Sequence, residues 1–201
     1  MILAGPKLIV GLTTNHLPLK NVASTLSKEL LQEKLEQFSI ALKGILNRKR
    51  ALIGVCGLNP HCSDGGLFGD EDQKIIAAGI SEQSHKLNLV GPIPADTAFF
   101  RGYRKEFDGI LAMYHDQGLG PLKTVHFDEA VNLTAGLKHL RISPDHGPAS
   151  DLFAKNIASP KSVALALSFC KNYLEKISGS EWKQNTKLPE IGFSPESHLT
   201  I

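Results

Sequence analysis

Three histidines follow short apolar runs of this sequence, and that placement makes them the first candidates for chemistry. They are His16, His61 and His115, and the runs before them are residues 7–13, 51–56 and 110–113. Such runs are typical of buried strands, and in an open α/β sheet ligands bind beyond the carboxyl ends of the strands. Neutral imidazoles with a nearby carboxylate, here that of Asp116, suit a catalytic divalent metal that keeps an open position for substrate.

The stretch Leu-Ala-Met-Tyr-His-Asp-Gln-Gly, residues 111–118, is the most pronounced of these strand endings. Its last four residues do not extend a core strand, and Gly118 predicts a tight turn at the strand's end. His115 and Asp116 would then be placed for catalysis rather than for packing. The alternative is a polar turn with a surface histidine, which each ending taken alone fits about equally well. Three such endings on one sheet edge favour a metal site, but they do not name the reaction.

Composition narrows the class of protein. A chain of 201 residues that is 42% hydrophobic and 21% charged has the make-up of a soluble globular domain. The net charge of +2 and the single short basic run, residues 47–50, do not favour nucleic acid binding. No apolar run approaches a membrane span, and the first residues do not resemble a signal peptide. Three cysteines without metal-ligand spacing are typical of a reduced, cytoplasmic protein.

The order of the predicted elements indicates an α/β fold. Strand, polar loop and helix alternate along the chain, which predicts a three-layer αβα domain with a largely parallel central sheet. Helices are expected over residues 22–48 and 72–87, and a strongly apolar helix over residues 162–174 is expected to be deeply buried. We expect residues 1–177 to form this portion and residues 178–201 to form a loosely ordered tail.

Further expectations concern the first strand and the loops that follow strands. The first predicted strand begins at Lys7, so it should either be an edge strand or follow sequence that is absent here. The stretch Gly-Pro-Ile-Pro-Ala-Asp-Thr, residues 91–97, is expected to form a rigid loop that presents Asp96. The glycine-rich stretch after residue 56 is expected to let backbone amides approach a ligand. Cys62 is read as incidental, because adjacent side chains rarely converge on one metal ion.

Six motifs occur in the order in which one known family carries them. They are Thr14-Asn-His-Leu-Pro-Leu-Lys20, Gly57-Leu-Asn-Pro-His61, residues 91–97, residues 111–118, Val131-Asn-Leu-Thr134 and Arg141-Ile-Ser-Pro-Asp-His-Gly147. On these motifs the chain, over about residues 3 to 175, resembles the 4-hydroxythreonine-4-phosphate dehydrogenases of vitamin B6 biosynthesis. The resemblance implies NAD-dependent oxidation and decarboxylation of 4-phosphooxy-L-threonine, a small phosphorylated amino acid, to 3-amino-2-oxopropyl phosphate.

The same resemblance implies roles for particular residues. His16, His61 and His115 would hold a divalent metal such as Zn, Mg or Co, in a site shared across a homodimer. Further catalytic residues would be Asp116 and Lys123. Lys123, Asn132 and Arg141 would bind the substrate, since lysine and arginine suit phosphate and carboxylate groups.

A second likeness concerns the cofactor. Residues 146–160 are similar to the nucleotide-binding loop of isocitrate and isopropylmalate dehydrogenases, which implies that NAD, or NADP, lies near His146, Gly147 and Asp151. Such a site needs no GxGxxG motif, and the sequence has none. The chain departs from the family at Gly120–Pro121 and at Pro148, which lacks the backbone donor and the hydroxyl of the usual threonine. It also lacks about a domain's length before its first strand, so it looks like the carboxyl-terminal portion of such an enzyme.

Two other readings remain open at this point. One is a non-catalytic remnant that still dimerises and binds metal or nucleotide. The other is a metal-dependent enzyme that uses the same three histidines for different chemistry.

Overall fold

The computed structural model describes residues 1–137, 139–144 and 160–177. Within them, seven strands form one sheet: β1 (Ile2–Ala4), β2 (Ile9–Leu12), β3 (Leu52–Cys56), β4 (Asn88–Ile93), β5 (Gly109–Ala112), β6 (Val131–Thr134) and β7 (Arg141–Pro144). Their order across the sheet is β4-β3-β5-β2-β1-β6-β7. The four strands β4, β3, β5 and β2 are parallel, whereas β1, β6 and β7 pair antiparallel with their neighbours.

Helices cover both faces of this sheet. They are α1 (Val22–Thr25), α2 (Lys28–Leu46), α3 (Ala78–Gln83), α4 (Ala95–Tyr103), α5 (His115–His126) and α6 (Lys161–Ile177), and a π-helical turn, Asp72–Ala77, leads into α3. Apolar residues of α2, α3 and α6 pack on one face of the sheet, and those of α4 and α5 pack on the other. The predicted three-layer α/β fold with a mostly parallel sheet is therefore confirmed. Among the described residues no helix is long and apolar enough to cross a membrane.

The first predicted strand does not lie at an edge of the sheet, and a shorter strand precedes it. The strand that was expected from Lys7 is β2, which lies inside the sheet between β5 and β1. The three residues of β1 pair with β2 on one side and with β6 on the other, and all three are buried. Such a short segment shows no periodicity of its own. It becomes a strand because both of its neighbours supply hydrogen-bond partners.

Two predicted loops are instead parts of regular elements. Gly118 does not form a tight turn, since it lies in the first turns of α5. There a β-carbon would come within 2.8 Å of Leu12, so the glycine allows the helix to approach β2 closely. The stretch 91–97 is likewise no rigid loop, because its first half belongs to β4 and Asp96 stands in the first turn of α4.

The prediction of deep burial for the last helix is also wrong in part. Only one side of α6 packs on the core, where Ala166 is 7% exposed. Val163 and Leu167, which were expected to be buried, are 45% and 68% exposed. The apolar composition of a helix does not show how many of its sides are covered, and in α6 one side is covered. Residues 178–201, the predicted tail, lie outside the described residues.

Candidate active site

The three candidate histidines follow three neighbouring strands. His16 comes after β2, His61 after β3 and His115 at the start of α5, directly after β5. In the sheet β5 lies between β2 and β3, and all three strands run parallel. We call the edge at which these strands end the carboxyl edge. The topology therefore brings His16, His61 and His115 to one edge of the sheet, as the positions of the apolar runs predicted.

His16 and His115 are in ring contact. Their imidazole centroids lie 5.1 Å apart, and the ring planes are tilted by 44°. Backbone hydrogen bonds extend the pairing of β2 and β5 up to these residues: Thr13 N donates to Ala112 O at 2.8 Å, and Thr14 N donates to Met113 O at 3.1 Å. The ladder continues past both strand ends, so the backbones two residues before His16 and His115 are held at the spacing of paired strands.

The carboxylate of Asp116 contacts His115. Nδ1 of His115 lies 2.6 Å from Oδ1 of Asp116. A carboxylate at this distance favours the tautomer with a proton on Nδ1, which leaves the lone pair of Nε2 available to a metal ion. His115 is half-buried, whereas the Asp116 side chain is 89% exposed. The sequence prediction that these two residues act as a pair is consistent with this geometry.

Gln117 joins two of the strand ends, a role that the sequence did not suggest. Its Oε1 accepts a hydrogen bond from Met113 N at 2.7 Å, and its Nε2 donates to Gly57 O at 2.8 Å. One side chain at the beginning of α5 thus connects the end of β5 to the end of β3. This connection fixes the loop that carries His61 relative to the helix that carries His115.

His61 lies in an unusual left-handed turn. The five residues 61–65 all have positive φ, with values of 52°, 55°, 68°, 42° and 68°. Left-handed backbone costs residues with a β-carbon roughly 1–2 kcal/mol each, so such a turn persists only where its surroundings hold it. The buried side chain of Asp72 accepts hydrogen bonds from Ser63 within this segment and from Leu58 and Asn59 just before it. The sequence indicated Asp72 only as a first-turn helix residue, since nothing local shows that its side chain turns back to the loop.

A cleft of about 370 Å³ lies beside His61. It is lined by Leu58, Asn59, Pro60, His61, Ala95, Asp96, Tyr114 and Gln117. Asp96 is therefore presented next to His61, although by the start of α4 and not by a loop. Tyr114 is the neighbour of His115, so the cleft runs from the His61 turn toward the histidine pair.

The donor set fits a borderline divalent metal in part. Two imidazoles in contact, one of them supported by a carboxylate, are typical of such centres. Within residues 1–137, 139–144 and 160–177, however, no three histidine, cysteine, aspartate or glutamate side chains converge closely enough to hold an ion. His61 is exposed on the adjacent strand ending and stands apart from the pair. Assignment of all three histidines as ligands thus remains a prediction.

The three predicted substrate residues are spread across the sheet. Lys123 is on α5, with its Nζ 5.4 Å from the centre of the Phe127 ring. Asn132 is in the middle of β6, and its Oδ1 atom is buried without a hydrogen-bond partner among the described residues. Arg141 begins β7, where its Nη1 donates to Thr134 Oγ1 at 2.9 Å.

Arg141 does not lie next to the histidine pair of its own chain. Two strands, β1 and β6, separate β7 from β2. Three strand spacings correspond to roughly 14 Å. If Arg141 and the histidines serve one substrate, the substrate is long or the residues come from two subunits. The three residues predicted to bind the cofactor, His146, Gly147 and Asp151, lie outside the described residues.

Comparison with known proteins agrees with this architecture. The family model described as "Pyridoxal phosphate biosynthetic protein PdxA" matches residues 1–170. A 4-hydroxythreonine-4-phosphate dehydrogenase of Bacteroides thetaiotaomicron is 45% identical over 168 residues, which are 83% of this chain and 46% of the relative. The chain spans about half the length of the curated relatives that it matches.

Solved structures show the same fold. The crystal structure of a 4-hydroxythreonine-4-phosphate dehydrogenase from Klebsiella pneumoniae superposes with a TM-score of 0.76 at 33% identity, covering 86% of this chain and 53% of that one. A terephthalate 1,2-cis-dihydrodiol dehydrogenase from Burkholderia xenovorans superposes with a TM-score of 0.67 at 26% identity, covering 85% and 54%. From the match over residues 1–170 and the likeness of sequence and fold, the chain belongs to the PdxA family of pyridoxal phosphate biosynthetic proteins.

Proposed function

We propose that this chain carries the metal- and substrate-binding part of a 4-hydroxythreonine-4-phosphate dehydrogenase. In the proposed reaction a hydride leaves the hydroxyl-bearing carbon of 4-phosphooxy-L-threonine for NAD⁺ and the hydroxyl proton is released. The resulting β-keto acid loses CO₂, and the enolate that remains takes up a proton on the carbon that carried the carboxylate. The products are NADH and 3-amino-2-oxopropyl phosphate, a step of pyridoxal 5′-phosphate biosynthesis. Family membership supports the pathway, and the names of the relatives support the reaction.

The contact between His16 and His115 is the observation that carries the proposal. Two imidazoles at the carboxyl edge, 5.1 Å apart, would hold a divalent ion, with His61 as the third ligand. When bound, such an ion would act as a Lewis acid on the oxygen of the reacting carbon. The contribution of Asp116 is to orient the His115 ring through Nδ1, so that Nε2 would face the ion.

Charged and amide groups of the chain would bind the rest of the substrate. Lys123 and Arg141 are cations suited to its phosphate and carboxylate groups. The buried Oδ1 of Asn132 needs a donor, which an ammonium or hydroxyl group of a ligand would supply. Since Arg141 is separated from the histidine pair within one chain, these residues support a site shared by two subunits of a homodimer.

The nicotinamide cofactor would accept the hydride. By the likeness to the isocitrate and isopropylmalate dehydrogenases, residues around His146, Gly147 and Asp151 would bind NAD, with NADP as the alternative. We expect the enzyme to work in the cytoplasm without a nucleic acid or membrane partner.

A second candidate function is a non-catalytic protein that dimerises and binds metal or nucleotide. The chain spans about half the length of the curated relatives that it matches, so the 201 residues assayed alone would offer only that part of an active site. Correct positioning of the reactants lowers an activation barrier by roughly 7–11 kcal/mol. A chain that forms only one side of the substrate cleft would lose this positioning, and with it many powers of ten in rate. We therefore expect little NAD reduction by the 201-residue chain alone.

The test is NADH absorbance with 4-phosphooxy-L-threonine, NAD and a divalent metal. The chain is assayed alone and together with the amino-terminal half of a relative. Activity that needs both parts, and that is lost in His115→Ala, supports the proposed enzyme. If the paired halves assemble and bind metal but give no NADH, the non-catalytic function is favoured. Full turnover by the 201-residue chain alone would contradict the expectation that an amino-terminal half is needed to complete the cleft.

A further inference from the structure

Asp72 is a buried carboxylate that is bonded to both sides of the turn containing His61. It is 1% exposed, and its Oδ1 accepts a hydrogen bond from Leu58 N at 2.7 Å. Its Oδ2 accepts from Asn59 N at 3.0 Å and from Ser63 Oγ at 2.7 Å. Two of these donors precede His61 in the chain and one follows it. The carboxylate therefore ties the residues that lead into the turn to Ser63 at its middle.

The turn needs such support because of its backbone conformation. His61, Cys62, Ser63 and Asp64 all carry a β-carbon and all have positive φ, a conformation that such residues adopt only under constraint. The turn itself contributes Cys62 N donating to Asn59 O at 3.1 Å. Ser63 also accepts hydrogen bonds from Phe68 N at 3.2 Å and from Asn59 Nδ2 at 3.2 Å. The carboxylate of Asp72 adds the hydrogen bonds described above, and hydrogen bonds to an ionised acceptor are the stronger kind.

Asp72 lies on a helical turn that packs against the core. Asp72 is the first residue of the π-helical turn, and Ile76 of the same turn is fully buried in the core. π-Helical turns are uncommon and often stand at functional sites. Gly57 leaves the space that the carboxylate occupies, because a β-carbon there would lie 2.6 Å from Oδ1 of Asp72. The π-helical turn and the space left at Gly57 together determine the position of the carboxylate.

We infer that Asp72 is a positioning residue, which acts through the left-handed turn to place the His61 imidazole at the carboxyl edge. It does not itself touch substrate or cofactor. The part of this inference that concerns metal binding rests on the proposed function. The part that concerns the conformation of the turn does not.

The test compares Asp72→Asn with Asp70→Asn in the full chain. Asparagine keeps the size of the side chain, but it removes the charge and replaces one acceptor oxygen with a donor that faces N–H groups. Asp70 belongs to the same acidic run, is exposed and pairs with Lys74, so its variant controls for loss of charge. Ser63→Ala is a milder second variant, because it removes one of the three hydrogen bonds and keeps the carboxylate.

Three readouts separate positioning from mere stability. Hydrogen exchange reports the backbone of residues 58–66, the NMR signals of the His61 ring report its surroundings, and titration with Co²⁺ reports metal affinity at a temperature where the variants are folded. For Asp72→Asn we expect faster exchange, shifted His61 signals and Co²⁺ binding about 10–100-fold weaker. Ser63→Ala should change the same quantities less, and Asp70→Asn should leave them as they are.

Unchanged exchange and unchanged His61 signals in both Asp72→Asn and Ser63→Ala would overturn the inference. If Asp72→Asn does not fold, Ser63→Ala decides the question alone by the same readouts. Should the unaltered chain bind no Co²⁺, the metal part of the proposed function fails, while exchange and the His61 signals still judge the role of Asp72.

Discussion

The imidazole rings of His16 and His115 contact each other at a centroid separation of 5.1 Å, although they follow different strands of the sheet. The pairing of β2 with β5 continues through Thr13 and Thr14 to the positions just before the two rings. Backbone hydrogen bonds between the two strands therefore hold the segments that lead to the two rings. Each part of this arrangement predicts the effect of a specific substitution.

The carboxylate of Asp116 should strengthen metal binding by His115. Loss of an outer partner of a ligating histidine typically weakens metal binding about 10–100-fold. Because the Asp116 side chain is 89% exposed, we expect Asp116→Asn to weaken metal binding about tenfold, at the lower end of this range. Calorimetric titration with Co²⁺ measures the affinity. The control is Asp128→Asn, which changes an exposed carboxylate just after α5. Equal affinities for the two variants would show that Asp116 does not support the ligand.

Gln117 should hold two strand ends together. Gln117→Leu leaves Met113 N and Gly57 O without their partner, and unsatisfied groups of this kind cost about 1–3 kcal/mol. We expect the free energy of unfolding, measured with urea, to fall by that amount. Gln73→Leu changes the same residue type at an exposed position and should stay within about 0.5 kcal/mol of the unaltered chain. A fall of equal size in both variants would contradict the role of Gln117 as a connector.

Two glycines of α5 should respond to alanine in opposite directions. At Gly118 a β-carbon would meet Leu12 at 2.8 Å and Val10 at 2.9 Å, whereas at Gly120 it would meet nothing within 4 Å beyond its chain neighbours and its own helix backbone. Overpacking costs about 1–3 kcal/mol, and alanine in an open helical position stabilises by roughly 0.5–1 kcal/mol. Gly118→Ala should therefore lower the unfolding midpoint and Gly120→Ala should raise it. The close approach of α5 to β2 is not needed if both variants are stabilised.

Arg141 should bind an anionic group of the substrate. 4-Phosphooxy-L-threonine is expected to raise the melting temperature of the chain by mass action, and Arg141→Ala should abolish that shift. Arg104→Ala is the matched control, because Arg104 is exposed, stacks on Phe100 and follows the far end of α4. A shift of the same size in Arg141→Ala and in the unaltered chain would remove Arg141 from the substrate site.

Local sequence patterns predicted the parts of the site that depend on the strands. The apolar runs before His16, His61 and His115 are local features, and a parallel sheet brings their ends to one edge. The roles of Asp72 and Gln117 were not predicted, because four of their five partners are 9 to 60 positions away in the chain. No short-range pattern reports whether such side chains turn toward a loop or toward solvent.

Two of the wrong predictions about the fold have the same physical cause. Gly118 has the residue type of a turn, but its position in α5 is set by the close packing against Leu12. Strand β1 is too short to be seen as a pattern, and it is defined by its neighbours β2 and β6. In both cases tertiary contacts decided between conformations that the local sequence allows.

Metal binding by the histidine pair is the central claim, and metal content measured by elemental analysis tests it most directly. The chain is purified with excess Zn²⁺ or Co²⁺ and dialysed, together with His16→Ala, His115→Ala and the exposed control His85→Ala. We predict that the unaltered chain and His85→Ala retain a stoichiometric ion, and that His16→Ala and His115→Ala lose it. Unchanged metal content in His115→Ala would contradict the assignment.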